Sequence, residues 1–308
     1  ISFTDWINKW ADIGGDKKDS TAMAHGGVIS AGDYKTILFQ DNGAVTFSHI
    51  TYDSSDWGAT DCTISVFGGA IHVYNSDSGL VDFAGNESVT LQHISSINEH
   101  DTNYCYKDFY AYGGAIYTPR LNISHTKGAV SLSSNSIHQG VCTDVEGVGQ
   151  GGAAYIAAAL NISATASNIT LDNNSILVAN RAEGGALYLA ENSSSSLSDN
   201  LLHLQLRVNT VQAAADVDFN FAEDSLHADC EARGGAAYIG GELLIERNSG
   251  NITIESNAAT ADYRKVLENG RSEEHDNDPA YALGGAFFLA SGAHLGINHN
   301  GTENTAGM

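Results

Sequence analysis

Apolar residues recur along this chain at every second position in short runs, not at the three-and-four spacing of a helix. The segments GLVDFAGN (79–86), GAVSLSSN (128–135), SNITLDNN (167–174) and GNITIESN (250–257) each alternate apolar and polar side chains and end in turn-forming residues. That pattern is the signature of short strands separated by turns. Helical patterning is confined to the stretches around Trp6 to Trp10 and Tyr263 to Leu267, each long enough for a turn or two. The expected fold class is all-β.

Two motifs punctuate the strands. A Gly-Gly-small-apolar unit occurs seven times, beginning at Gly26, Gly68, Gly113, Gly151, Gly184, Gly234 and Gly284, so that Gly69, Gly114, Gly152, Gly185, Gly235 and Gly285 are the second glycines of the last six. The spacings are 42, 45, 38, 33, 50 and 50 residues. Between these units lies an apolar residue followed three positions later by Asn, at Asn42, Asn86, Asn135, Asn174, Asn200, Asn257 and Asn300. The copies FQDNGAVTFSHI (39–50) and FAGNESVTLQHI (83–94) are nearly superimposable.

A repeat of this length with two motifs predicts two stacked coils of about 20 residues each, the arrangement of a right-handed parallel β-helix. Glycine supplies left-handed turns and close approach of the next coil, and Asn tolerates the same backbone and hydrogen-bonds along a column. Residues 1–308 then form one continuous domain, with loop insertions at about 201–233 and 258–283.

Alternation after each Gly-Gly places the fourth and sixth residues inward and the fifth outward. The fifth positions are Ser30, His72, Tyr117, Tyr155, Tyr188, Tyr238 and Phe288. The last five are candidate binding residues on one face. With two coils per repeat they lie about 10 Å apart, twice the strand spacing. The column reads either as a ladder for glycan or peptide, or as rings buried under loops. The same spacing applies to His49 and His93, which occupy equivalent places in the two matching copies and so would not share a metal ion.

Charge narrows the partners. Asp and Glu number 37 against 14 Lys and Arg, a net charge of −23, which repels nucleic-acid phosphates and anionic lipid surfaces. Of the 33 glycines, 14 belong to the doublets. No run approaches the roughly 20 apolar residues of a membrane helix, and no signal peptide opens the chain. The start, ISFTDWINKW, reads as interior to a longer exported protein.

Alternating GGA(I/L/V) and FxxN units resemble the passenger domains of the chlamydial polymorphic outer-membrane proteins and related autotransporter adhesins. The resemblance runs from about Gly26 to Asn300. It departs from the family pattern in two ways: only Phe39 and Phe83 keep the Phe, and two units read GGAA. It implies a non-enzymatic, secreted virulence adhesin displayed at the cell surface and anchored in the outer membrane by a C-terminal β-barrel absent from this chain. The implied partner is a host-cell receptor protein or glycan, with self-association also open, and with no nucleic acid, metal or cofactor. A β-helical polysaccharide lyase or glycoside hydrolase and a structural stalk are the alternatives.

Other candidate chemistry is thin. Gly147 to Gly152 fits G-x-G-x-x-G, but AAYIAAALNIS follows it as the strands after the other doublets do, not as a helix. Ser124 to Lys127 fits S-x-x-K without a companion motif. The acidic run Ser272 to Asp278 reads as a solvated loop, its spacing matching no calcium loop. Cys62, Cys105, Cys142 and Cys230 all precede Gly-Gly units, so they line one edge as candidate disulfide partners or as free thiols. The Asn-x-Ser/Thr triplets are ordinary strand-edge sequence. The insertions are the expected contact segments, since rigid scaffolds bind through loops.

Overall fold

The structure is a computed structural model that describes residues 1–9, 20–32, 35–53, 62–74, 78–98, 107–139, 146–218, 230–266, 272–274 and 280–298. All of its regular elements are strands, arranged in three sheets of 7, 12 and 12 strands. Among the described residues every pairing is parallel except that of Arg264–Val266 with Ser272–Glu274. The stretches with helical patterning are strands too, Ser2–Lys9 and Ala258–Val266. Each pairs in register with a neighbour, and tertiary pairing overrides weak local propensity.

The chain visits the sheets in a fixed order. A strand of sheet I, such as Lys107–Tyr112, leads through a Gly-Gly corner into sheet II, here Ile116–Ser124. The chain then turns into sheet III, here Val130–Ser133 and Ser136–Gln139, and returns to sheet I at Gly147–Gln150. Tyr117 pairs with Tyr155, Tyr155 with Tyr188, and Tyr188 with Tyr238. One Gly-Gly repeat is therefore one circuit of the chain. The expectation of two coils per repeat is corrected: three sheets, the third bent into two halves, use up the whole repeat.

Three corners per circuit explain the motifs. At the first, Gly113 has φ +67°, and a Cβ on Gly114 would collide with the carbonyl oxygen of Gly152 in the next circuit. The doublet thus meets two separate demands, a left-handed backbone and direct backbone contact between layers. The second corner, between sheets II and III, carries Asn42, Asn86, Asn200 and Asn248. The third, within sheet III, carries Asn135, Asn174, Asn209 and Asn257. The single Asn column expected from the sequence is two columns.

From Asn86 onward these Asn side chains perform the same task. Asn174 Nδ2 donates to the Leu132 carbonyl of the preceding circuit (2.9 Å) and to Asn209 Oδ1 (3.0 Å), while Asn174 Oδ1 accepts from the Asn135 backbone N–H (3.1 Å). Asn200 repeats this with Ile162 and Asn248. The bent backbone at a corner cannot complete its sheet bonds, and these buried side chains satisfy it. Where Asn is missing, Thr165 takes over, its hydroxyl donating to Asn200 Oδ1 at 2.8 Å, and Ile50 and Ile94 fill the third corner with hydrocarbon.

Two apolar columns fill the interior. Sheet II packs on the first half of sheet III through residues including Phe47, Phe83, Leu91, Ile123 and Leu132. Sheet I packs on the second half through Ile64, Phe109, Ile137, Ile176 and Val211. The fourth positions after Gly-Gly point inward as expected, Ile71, Ile116 and Leu187 being fully buried. Of the expected insertions, 204–207 and 210–218 lie in sheet III, as do 258–266. Residues 219–229, 267–271 and 275–279 lie outside the described residues.

Candidate functional site

The outer faces of sheets I and II converge at the Gly-Gly corner, and two columns of side chains meet there. From sheet II come the fifth positions. From sheet I comes the residue just before each doublet: His25, Phe67, Tyr112, Gln150, Glu183, Arg233 and Leu283, which pair in register.

The sheet II column is a continuous ring stack. Centroids of Tyr117–Tyr155, Tyr155–Tyr188 and Tyr188–Tyr238 are 4.9, 4.9 and 4.6 Å apart, with planes within 17° of parallel. Tyr238–Phe288 extends it at 5.3 Å and His72–Tyr117 begins it, also at 5.3 Å. The expected 10 Å spacing is corrected, since equivalent residues sit on adjacent circuits. Each ring covers the faces of its neighbours, so no inner ring offers a free face on which a sugar could stack. Sheet I supplies the flanking cover: Phe67 lies edge-on to Tyr117 at 5.2 Å and Tyr112 edge-on to Tyr155 at 5.7 Å. Burial raises the pKa of the Tyr117, Tyr155 and Tyr188 hydroxyls, Tyr155 to about 12.

The sheet I column changes character along its length. His25, Phe67 and Tyr112 stack on one another at 5.2 Å. Beyond them Gln150 Nε2 donates to Glu183 Oε2 (2.7 Å) and Arg233 donates to Glu183 Oε1 (3.0 Å). Arg233 also pairs with Glu231 at 2.6 Å and lies over the Phe288 ring at 5.2 Å. Glu183 is only 2% exposed. Its burial raises its carboxyl pKa, and the Gln150 hydrogen bond and the charges of Arg181 and Arg233 offset this only in part. At the other end burial lowers the His72 pKa to about 4, helped by His25, which lies 4.6 Å away ring to ring and is itself lowered by burial.

Remaining sequence candidates fall elsewhere. Gly147–Gln150 is a strand, so Gly147 to Gly152 opens no helix. Ser124 to Lys127 spans a strand end and a corner. Cys230 is fully buried, its thiol donating to the Ala179 carbonyl at 3.7 Å. Cys105 and Cys142 and the side chain of Cys62 lie outside the described residues, as do positions 275–278 of the acidic run. Among the described residues no three His, Cys, Asp or Glu side chains cluster as a metal site, and no helix is long and apolar enough to cross a membrane. His49 and His93 are stacked at 4.9 Å with planes 5° apart, not 10 Å apart.

The sheet I column escaped the sequence reading, although its signal was present, since each member directly precedes a doublet. Together these features define a repetitive parallel-sheet protein with a packed groove. Comparison with protein-family models, curated proteins and solved structures gave no match.

Proposed function

We propose that the chain is a right-handed parallel β-helix and the passenger segment of an autotransporter, a non-enzymatic surface adhesin that attaches to host cells. The observation that carries this reading is the unbroken register of the circuits, from Ser30 paired with His72 to Tyr238 paired with Phe288. Such a scaffold holds loops at fixed intervals along an extended surface. The GGA(I/L/V) and FxxN units supply the family resemblance. Contact with a receptor protein or glycan then falls to the segments joining sheet III to sheet I.

The stacked ring column favours a second reading, a structural stalk, because its faces are spent on internal packing. Binding of the purified chain to cultured epithelial cells and to a glycan array separates the two. The adhesin reading expects saturable binding that weakens when residues 219–229 are replaced by a short Gly/Ser linker. Absence of binding to both supports the stalk, and polysaccharide cleavage without binding would overturn both in favour of an enzyme.

A further inference from the structure

We propose that His49 and His93 form a two-imidazole site for a borderline divalent transition-metal ion, Cu²⁺ above all, on the outer edge of the bend in sheet III. Both residues are exposed, and both occupy left-handed backbone at the same corner, with φ +54° and +53°. They belong to adjacent circuits, because Ser48 pairs with Gln92 and Ile50 with Ile94 on either side of them. Their rings are parallel to within 5° with centroids 4.9 Å apart.

Adjacent paired strands bring the two side chains within reach of one ion. Stacked rings point their in-plane lone pairs the same way, so binding turns both exposed rings out of the stack until one nitrogen of each lies about 2.1 Å from the ion, in adjacent coordination positions about 3 Å apart. The backbone beneath them is fixed by strand pairing on both sides, so the pair is held together before an ion arrives, which lowers the entropy cost of binding.

The same column places an acidic residue beside the pair. Asp5 lies one circuit earlier at the equivalent position, since Thr4 pairs with Ser48 and Trp6 with Ile50, and it too is exposed with φ +57°. Its carboxylate adds negative potential beside the pair without joining it as a third ligand. On the other side comes Ser134. Water completes the coordination. Two imidazoles with water select Cu²⁺ ahead of Ni²⁺ and Zn²⁺, and the net charge of −23 favours any cation.

The test is a Cu²⁺ titration of the full chain, followed by calorimetry and by electron paramagnetic resonance. The wild type is expected to bind one ion with two nitrogens in its equatorial plane. His93→Asn and His49→Asn should each weaken binding by about tenfold or more and leave a single-nitrogen spectrum, as expected when one of two ligands is lost. Asn is tolerated at this corner, since Asn173 occupies the same column at φ +56°, and matching metal-free melting curves confirm the fold. His93→Gln serves as the second variant. His125→Asn is the control: this exposed histidine stands at the other corner between Gly85 and Ala164, neither of which carries a ligating side chain. Unchanged affinity and spectra in the His49 and His93 variants, or an equal loss in His125→Asn, would overturn the proposal.

Discussion

The two ends of the groove between sheets I and II share one backbone and one register but solve the same packing problem with different chemistry. Toward the N-terminus, His25, Phe67 and Tyr112 stack as rings beside His72 and Tyr117. Toward the C-terminus, Gln150, Glu183 and Arg233 form a hydrogen-bonded chain beside Tyr188 and Tyr238, and Arg233 covers Phe288. A column position is constrained by its neighbours above and below, not by residue type. Rings need rings, and a carboxylate needs donors on both sides.

The two ends should therefore respond oppositely to pH. His72 is held neutral by burial, so acid favours the unfolded chain, whose histidine takes up a proton first. Its contribution is fully present above pH 6.5 and is lost as the pH falls toward 4. Glu183 is an acid with a raised pKa. As the pH climbs past 4.5 the unfolded chain ionises first, so stability falls with rising pH until Glu183 itself ionises.

The largest expected effect tests the part the two ends share. Tyr155→Ala removes a ring stacked on both sides and should cost about 4 kcal/mol in urea unfolding at pH 7, whereas Tyr155→Phe should cost little. Equal losses in the two variants would mean that the hydroxyl, not the stack, holds the column. Next, His72→Phe should abolish a loss of about 3 kcal/mol between pH 6.5 and 4, the linkage value of a shift from 6.5 to about 4. A variant that retains the wild-type acid slope assigns that slope to other groups.

Arg233→Met acts on the charged end and should cost about 2 kcal/mol, because it leaves Glu183 buried with Gln150 as its remaining donor. The loss should grow from pH 5 to pH 8, and a flat profile would count against a buried ionised carboxylate. Smallest is Glu183→Gln, expected within about 1 kcal/mol of wild type at pH 7. Its stability should no longer fall as the pH rises past 4.5, and a fall of wild-type size would transfer the effect to another acid.

Much of this architecture is legible in the amino-acid order. The doublets mark a corner because no other residue fits both Gly113 and Gly114, and alternation after them sorts Ile116 inward and Tyr117 outward. What misleads is the second motif. Strict apolar-x-x-Asn tetrapeptides counted once per doublet suggest two short coils, yet each circuit has two such corners, and the tetrapeptides ending at Asn209 and Asn248 lie in plain view. Elsewhere Ile50, Ile94, Thr126 and Thr165 hold the equivalent places, because a corner can be closed by a hydroxyl, as at Thr165, or filled by hydrocarbon, as at Ile50 and Ile94, as well as bridged by an amide. The groove was half legible for a different reason. Its sheet II column repeats one residue type, while its sheet I column is complementary from layer to layer, and complementarity shows no repeat in a single sequence.

Because one repeat is one full circuit with all three corners included, the molecule is modular at a single cut. Removing residues 151–183, the shortest repeat, joins Gln150 to Gly184. It sets Tyr188 on Tyr117, Asn209 on Asn135 and Asn200 near Thr126, so the ring and Asn columns close again one layer shorter, while Gln150 meets Arg233 without Glu183 between them. A gene encoding such a chain can gain or lose length by whole layers through unequal exchange between its own repeats, at a cost set by how well the sheet I column pairs across the new join. How far the protein reaches is then set by how many copies it carries.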